Sequence, residues 1–147
     1  MVPTVAAIRP GFERLLLGGL VAGAISACAN NVYFMVYRWA TGFYGHEPSF
    51  TSITLSSLAP SAPAALGYFV LARLTARARV VFASLTAIII VISFEGLLRQ
   101  TLPDGAPKPA GFDGAVMPMH VVVGLATALL VPWFARRRVP TGPRETA

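Results

Sequence analysis

Two ionisable side chains lie within otherwise apolar stretches of this 147-residue chain, and they are the residues best suited to chemistry. Glu95 ends an uncharged run that begins at Val80, and His120 lies inside a second apolar run, from Gly114 to Ala135. A buried carboxylate and an imidazole can both change protonation state near neutral pH. The two residues therefore suggest a proton-binding site that could couple the movement of a small substrate.

Polar uncharged residues accompany them in two other apolar stretches. Asn30 and Asn31 lie in the first stretch, and Ser56 and Ser57 lie in the second. If each stretch is a helix centred in a bilayer, a rise of 1.5 Å per residue puts these groups ~6 to 10 Å from the midplane, all toward the outer side. We therefore predict a polar layer in the outer half of a helix bundle, formed by Asn30, Asn31, Ser56, Ser57, Glu95, Arg99 and His120.

The ionisable members of the polar layer also have structural explanations. Glu95 and Arg99 are spaced i and i+4 with the acid first, which is the favourable order for an ion pair on one helix. Arg99 can also extend toward the lipid headgroups. His120 can form a hydrogen bond across helices to Asn30 or Asn31. The sequence leaves both the structural and the functional explanations open, because ionisable groups within membranes are often functional.

Four long apolar segments position the polar layer. The chain is 55% hydrophobic and 12% charged, whereas a soluble domain carries about 25% charged residues. About 20 apolar residues in a helix cross the ~30 Å hydrocarbon layer. The sequence thus predicts an all-α, polytopic membrane protein with a bundle of four transmembrane helices. We expect one domain over residues 1-139, with helices at 12-39, 53-74, 79-98 and 115-134, and a disordered cytoplasmic tail over 140-147.

The first predicted helix carries two adjacent rows of small residues, each at a spacing of four. In membranes such rows let another helix backbone approach closely. The fourth predicted helix repeats the pattern one turn after His120, and Pro60 and Pro63 predict a bend in the second helix. We predict a helix-packing face whose neighbour could belong to the same chain or to a second copy, formed by Gly18, Gly19, Ala22, Gly23, Ser26, Ala27, Gly124 and Ala128.

The basic residues follow membrane topology, so the net charge of +6 does not indicate a nucleic-acid partner. Nine arginines flank the helix ends on one side, and only Arg38, Arg99 and Lys108 lie on the other. The positive-inside rule then places both termini in the cytoplasm. We predict a bacterial inner-membrane location, and contact with anionic lipid through Arg136, Arg137 and Arg138. The nine arginines are Arg9, Arg14, Arg73, Arg77, Arg79, Arg136, Arg137, Arg138 and Arg144.

The single cysteine, Cys28, follows Ile25-Ser26-Ala27 in a sequence similar to the lipobox of a lipoprotein signal peptide. The apolar run continues as far as Arg38, so the segment is long enough to span the membrane without cleavage, which is what we expect. No cysteine pair, zinc motif or soluble catalytic motif is present. We therefore predict no enzymatic activity, no metal and no cofactor. Only His46 could supply a second imidazole beside His120, and it lies in a loop.

The order of these features resembles that of small four-span bacterial inner-membrane proteins of an uncharacterised family. The shared features are a glycine-rich first helix ending in asparagine, a proline-bearing second helix, a glutamate ending the third, and "MPMHVVVGLATALLVP" in the fourth. The resemblance implies a membrane location and a four-helix fold, and it implies no activity.

The predicted function is that of a non-enzymatic membrane protein acting through helix contacts. It would be an accessory or regulatory subunit of a larger assembly, or a small homo-oligomer, with the lipid bilayer and other membrane helices as partners. One alternative is a proton-linked transporter or channel that uses Glu95 and His120. A second alternative is a redox subunit that binds quinone or haem through His120.

Overall fold

The computed structural model describes residues 11–45, 47–99, 101–102 and 105–136, and the structural statements below refer to these residues. Their regular secondary structure is entirely helical, which confirms the predicted all-α class. The helices are α1 (Phe12–Thr41), α2 (Phe50–Leu58), α3 (Ser61–Leu74), α4 (Ala78–Ser93), α5 (Glu95–Leu98) and α6 (Phe112–Arg136).

Three of the four expected spans are long and apolar enough to cross a membrane: α1, α2 together with α3, and α6. The third expected span is different, because it divides at Phe94 into α4 and the single turn α5. The 16 residues of α4 extend only ~24 Å at 1.5 Å per residue, which is less than the ~30 Å hydrocarbon layer. A fourth, shorter apolar helix thus accompanies three long ones.

Proline divides the second expected span between α2 and α3. Pro60 and Pro63 have no N–H to donate, so the carbonyls of Ser56 and Ala59, four residues earlier, lose their helical partners. Helical hydrogen bonds are present on both sides of the prolines. Ala59 N donates to Leu55 O before them, and Ala64 N donates to Pro60 O after them, both at 2.9 Å. The chain therefore bends at Ala59–Pro60, which agrees with the bend expected from the two prolines.

A tyrosine compensates for a proline at the start of α6. Pro118 leaves the carbonyl of Gly114 without its helical donor. The Tyr33 hydroxyl of α1 donates to that carbonyl at 2.7 Å, and the Tyr37 hydroxyl donates to the carbonyl of Gly111 at 2.8 Å. These two hydrogen bonds join the last turns of α1 to the first turns of α6.

Two hydrophobic clusters establish an up-and-down arrangement of the helices. The first cluster joins the starts of α1 and α4 to the ends of α3 and α6, and the second joins the end of α1 to the starts of α2 and α6. α1 is the central helix, since it packs on α2, α3 and α6, while α4 packs mainly on α3 and α6. The first cluster contains Leu15, Ala65, Tyr68, Ala78, Phe82 and Val131, and the second contains Phe34, Phe43, Ile53, Ala115 and Met119.

The outside of the bundle is strongly apolar. Large hydrophobic side chains such as Leu20, Leu66, Ile89 and Leu129 are about half exposed or more, and they occur on every long helix and on α4. Soluble monomers rarely expose contiguous apolar patches of this extent. The surface is compatible with a membrane protein, in agreement with the length and composition of the three long helices.

Candidate functional site in the bundle core

Both small-residue rows of α1 are covered by helices of the same chain. The row of Gly19 and Gly23 faces the bend between α2 and α3, where an added Cβ would collide with the Ser61 carbonyl or the Ser61 hydroxyl, respectively. The adjacent row faces α6, where a Cβ on Gly18 would lie 2.8 Å from Phe134 Cβ. The close approach that the sequence predicts for this face is therefore made within one chain.

The small-residue row of α6 packs against α4 in the same way. A Cβ on Gly124 would collide with the Ile90 side chain, and the Thr86 methyl group would lie 3.8 Å away. Ala128, one turn further along, is half-buried. The remaining members of the predicted helix-packing face are all buried, namely Gly18, Gly19, Ala22, Gly23, Ser26 and Ala27. Any external partner must therefore use another surface.

Asn30 lies at the centre of a polar contact that joins three helices. The residue is 1% exposed, and its Nδ2 donates to Ser57 Oγ of α2 at 3.1 Å and to Met119 O of α6 at 3.4 Å. Because a carbonyl can only accept a hydrogen bond, the contact with Met119 fixes the orientation of the amide. The Oδ1 atom of Asn30 is buried and has no hydrogen-bond partner in the described part of the chain.

Asn31 makes a second polar contact, which joins α1 to α2. Its Nδ2 donates to Ala27 O at 2.8 Å and to Thr54 Oγ1 at 2.9 Å. Its Oδ1 is also buried without a partner among the described residues, as is the hydroxyl of Ser61. The unpaired polar atoms therefore belong to α1 and to the α2–α3 segment that packs on it.

Only one of the two predicted serines belongs to this contact. Ser57 is 1% exposed and accepts from Asn30, whereas Ser56 is exposed and donates within its own helix to Ile53 O at 3.1 Å. Successive residues point about 100° apart on a helix of 3.6 residues per turn, so only one of the pair faces the core. Thr54 and Ser61 are not among the predicted residues, although their spacing from Ser57 follows the helical repeat.

His120 lies near this contact but faces a different neighbour. Its Nδ1 is 3.1 Å from Val116 O, so Nδ1 donates to that carbonyl, and Nε2 has no partner among the described residues. Its ring centroid lies 6.4 Å from that of Phe94, which joins α4 to α5. The expected hydrogen bond from His120 to Asn30 or Asn31 is not formed, because the imidazole bonds to a carbonyl of its own helix.

Glu95 lies outside the polar contact. Glu95 and Arg99 are both exposed, and no ion pair joins them. An ion pair at this spacing needs a continuous helix, but α5 ends at Leu98 and Arg99 is extended, with φ −72° and ψ 145°. Of the predicted polar layer, Asn30 contacts Ser57, and Asn31 contacts Thr54 on the same helix as Ser57. His120 contacts Val116 and Phe94 instead, and Ser56, Glu95 and Arg99 lie on the surface.

The described basic residues are distributed unevenly between the two ends of the bundle. Arg14, Arg73, Arg77, Arg79 and Arg136 lie at the end that contains the first hydrophobic cluster, and Arg38, Arg99 and Lys108 lie at the other. Lys108 forms an ion pair with Asp113 at 2.6 Å. Arg137 and Arg138, which the sequence predicts to contact anionic lipid, lie outside the described residues, and so does His46.

The candidate site is therefore a set of uncharged hydrogen-bonding groups between α1, α2 and α6. Asn30, Asn31, Ser57 and Thr54 can hold helices together and can accept further hydrogen bonds, but they supply no acid, base or activated nucleophile. In the described part of the chain, no three His, Cys, Asp or Glu residues are grouped to hold a metal ion. Comparison with protein-family models, curated proteins and solved structures found no match to this chain.

Proposed function

We propose that this chain is a non-enzymatic bacterial inner-membrane protein that acts through contacts between its helices and those of another protein or a second copy. The apolar exterior supports the membrane location. The excess of arginine at the end holding the first residues of α1 and the last residues of α6 supports cytoplasmic termini. The proposed forms are a small homo-oligomer and an accessory or regulatory subunit of a larger assembly.

One observation carries this proposal. A third face of α1, pointing away from the rest of the chain, forms a shallow apolar groove, here called the outer groove. Ala24 and Cys28 are one turn apart in it and are both exposed, as is the neighbouring Ala29. Small residues at this spacing let a second backbone approach closely in a membrane, where packing drives helix association. The outer groove is lined by Ala24, Ile25, Cys28, Ala29, Val32 and Tyr33.

The orientation of the chain in the membrane limits how two copies can pair through the outer groove. Copies with the same orientation are related by a two-fold axis along the membrane normal, so each residue meets its own counterpart at the same depth. Ala24, Cys28 and Ala29 would then face Ala24, Cys28 and Ala29 of the second copy. An accessory role would use the same groove to receive a helix of a different protein.

The native cysteine provides a direct test of this proposal. Oxidising the protein in its native membrane should join two copies through Cys28, since a disulfide needs Cα atoms about 4.4 to 6.8 Å apart. The expected product is a band at twice the monomer mass of 15.6 kDa that disappears on reduction. If a foreign helix fills the groove, Cys28 should instead be protected from oxidation and from maleimide, and the protein should migrate as a larger complex in mild detergent.

A matched control moves the cysteine to another helix. In a Cys28→Ser background, Leu125→Cys places an exposed thiol near the middle of α6, as Cys28 is near the middle of α1. This variant should remain monomeric after oxidation. Equal cross-linking at both positions would indicate random collision and contradict the proposal. A reactive, uncross-linked Cys28 in a protein that stays monomeric in mild detergent would contradict it as well.

The transporter alternative has one supporting observation, which is that Nε2 of the half-buried His120, beside Phe94, has no partner in the described part of the chain. The exposed position of Glu95 gives no support for a carboxylate that works with it. Proton flux into vesicles reconstituted with the protein tests the alternative. Flux that is lost in His120→Gln and in Glu95→Gln would favour a proton-linked transporter over the proposal above.

The redox alternative depends on the same imidazole. His120 could act as one axial ligand to haem or as a hydrogen-bonding partner to a quinone. The visible absorption spectrum of the purified protein, recorded with and without reductant, tests the haem form directly. A Soret band that is lost in His120→Ala would favour this alternative.

A further inference from the structure

A second groove lies at the arginine-rich end of the bundle, between the start of α4 and the end of α6. It is here called the arginine groove, and it is lined by Arg79, Leu129, Leu130, Trp133 and Arg136. Arg79 belongs to the first turn of α4, and Arg136 belongs to the last turn of α6. Two elements that are distant in sequence therefore each contribute one guanidinium to the same groove.

The two arginines supply positive charge that no carboxylate in the described part of the chain neutralises. Within residues that the structure describes, no ion pair engages either Arg79 or Arg136. Arg79 and Arg136 line the same groove, so their charges lie together between the start of α4 and the end of α6. The described carboxylate at this end of the bundle is Glu13, in the first turn of α1. An anion entering the groove would therefore meet two cations with unused hydrogen-bond donors.

The wall of the groove below the arginines is apolar. Leu129, Leu130 and Trp133 form this wall, and Leu129 is 59% exposed. The groove has a volume of about 290 Å³, whereas one water molecule needs roughly 10 to 15 Å³ of volume measured in this way. This volume accepts a phosphate group and the first part of an acyl chain. A free phosphate would leave the apolar wall uncovered, whereas a lipid would cover it.

We infer that the arginine groove binds an anionic phospholipid, with its phosphate between Arg79 and Arg136 and an acyl chain along Leu129, Leu130 and Trp133. Guanidinium groups bind phosphate through paired N–H donors, and basic pockets between helices on the cytoplasmic side bind anionic headgroups. The inference rests on the proposed membrane location and cytoplasmic orientation. It does not depend on the outer groove or on oligomerisation.

Tryptophan fluorescence provides a site-specific test, since the chain has 2 tryptophans and Trp133 lines the groove. In a Trp39→Phe variant, Trp133 is the sole tryptophan. The variant is reconstituted in phosphatidylcholine with small amounts of brominated phosphatidylglycerol or brominated phosphatidylcholine. Brominated phosphatidylglycerol should quench Trp133 at a several-fold lower mole fraction. Arg79→Gln and Arg136→Gln should each reduce this preference, by about fivefold at most if each arginine contributes ~1 kcal/mol.

Arg73→Gln is the matched control. It removes the same charge at the same end of the bundle, but the Arg73 guanidinium stacks on the Phe69 ring at 3.3 Å and donates to Phe69 O, outside the groove. The control should keep the preference for phosphatidylglycerol, and Arg79→Lys should keep most of it. Circular dichroism of each arginine variant is compared with that of the Trp39→Phe parent to verify folding.

Several outcomes would overturn the inference. Equal quenching by the two brominated lipids would show that the groove does not select anionic lipid. If Arg73→Gln lost as much of the preference for phosphatidylglycerol as Arg79→Gln, the preference would come from general surface charge and not from the groove. Competition by millimolar glycerol phosphate would indicate a phosphate subsite without a lipid. Absence of quenching by either lipid would instead contradict the membrane location on which the inference rests.

Discussion

Neighbouring serines on α2 show how sharply the core selects its polar residues. Ser57 is 1% exposed and accepts a hydrogen bond from Asn30, while Ser56 is exposed and bonds only within its own helix. Interhelical hydrogen bonds inside membrane proteins contribute about 0.6 kcal/mol on average and up to ~1.7 kcal/mol. Position on the helix, more than residue type, should therefore decide what each hydroxyl contributes to stability.

Substituting each serine separately with alanine tests this difference. Ser57→Ala should lower the free energy of unfolding by about 0.6 to 1.7 kcal/mol, because Asn30 Nδ2 keeps only its longer contact with Met119 O. Ser56→Ala should change it by less than ~0.5 kcal/mol. Unfolding in detergent, followed by circular dichroism, measures both values. Equal losses for the two substitutions would contradict the assigned role of Ser57.

Glu95→Gln is expected to leave the free energy of unfolding unchanged. The carboxylate is exposed and has no ion pair with Arg99, so neutralising it removes no described contact. Asp113→Asn is the matched control, because it breaks the ion pair with Lys108 at 2.6 Å and should lower the thermal midpoint slightly. The thermal midpoints of unfolding, measured in detergent, compare the two variants. A clear loss in Glu95→Gln would indicate a buried or paired carboxylate.

At the scale of elements, the glycines of α1 allow the bent segment formed by α2 and α3 to pack closely against α1. Ser61 follows Pro60, and the bend brings its carbonyl and hydroxyl against Gly19 and Gly23. Gly67 on α3 has nothing within 4 Å of an added Cβ and serves as a control. Substitution by alanine should therefore change the free energy of unfolding in opposite directions at Gly19 and at Gly67.

Gly19→Ala should destabilise the protein by about 1 to 3 kcal/mol, because its Cβ would push α1 away from the backbone of Ser61. Gly67→Ala should be neutral or stabilise the protein by up to ~1 kcal/mol, since alanine favours helix and meets no neighbour. Reversible unfolding in detergent gives both free energies. Stabilisation by both substitutions would show that α1 and α3 do not pack closely.

The tyrosine on α1 and the proline in α6 should be energetically coupled. Tyr33→Phe removes the hydroxyl that donates to Gly114 O, and should cost about 1 to 2 kcal/mol because Pro118 supplies no replacement donor. In a Pro118→Ala background the restored amide donates to that carbonyl, so Tyr33→Phe should cost less. A double-mutant cycle measures this coupling. Additive effects of the two substitutions would contradict it.

The sequence predicts some of these elements well and others poorly, for physical reasons. Row spacing on one helix predicts that Gly19 and Gly23 contact a neighbour, but spacing within a helix carries no information about which neighbour that is. The depth of Glu95 was predicted for a third helix that continues unbroken to Leu98, and the break at Phe94 ends that continuity one residue before Glu95. Depth along a helix gave the level of Ser56 and Ser57, whereas the side each one faces depends on packing.

At the scale of the whole molecule, the arginine asymmetry follows from the antiparallel order of the helices. The chain changes direction between α3 and α4 at the end that holds Arg73, Arg77 and Arg79, and again between α5 and α6 at the opposite end. The positive-inside rule assigns the first of these connections to the cytoplasm. A membrane-impermeant thiol reagent can then distinguish the two ends.

Labelling two single-cysteine variants in a Cys28→Ser background tests this orientation. Ala76→Cys lies in the α3–α4 connection and Ala110→Cys lies just before α6, and both positions are exposed. The reagent should label Ala110→Cys in intact cells, because the proposed orientation places that connection outside. It should label Ala76→Cys only after the cells are permeabilised, because the positive-inside rule assigns that arginine-rich connection to the cytoplasm. The reverse pattern would place the arginine-rich end outside and remove the basis for cytoplasmic termini. Equal labelling of both variants in intact cells would show that the bundle does not cross the membrane, since both connections would then lie on the same side.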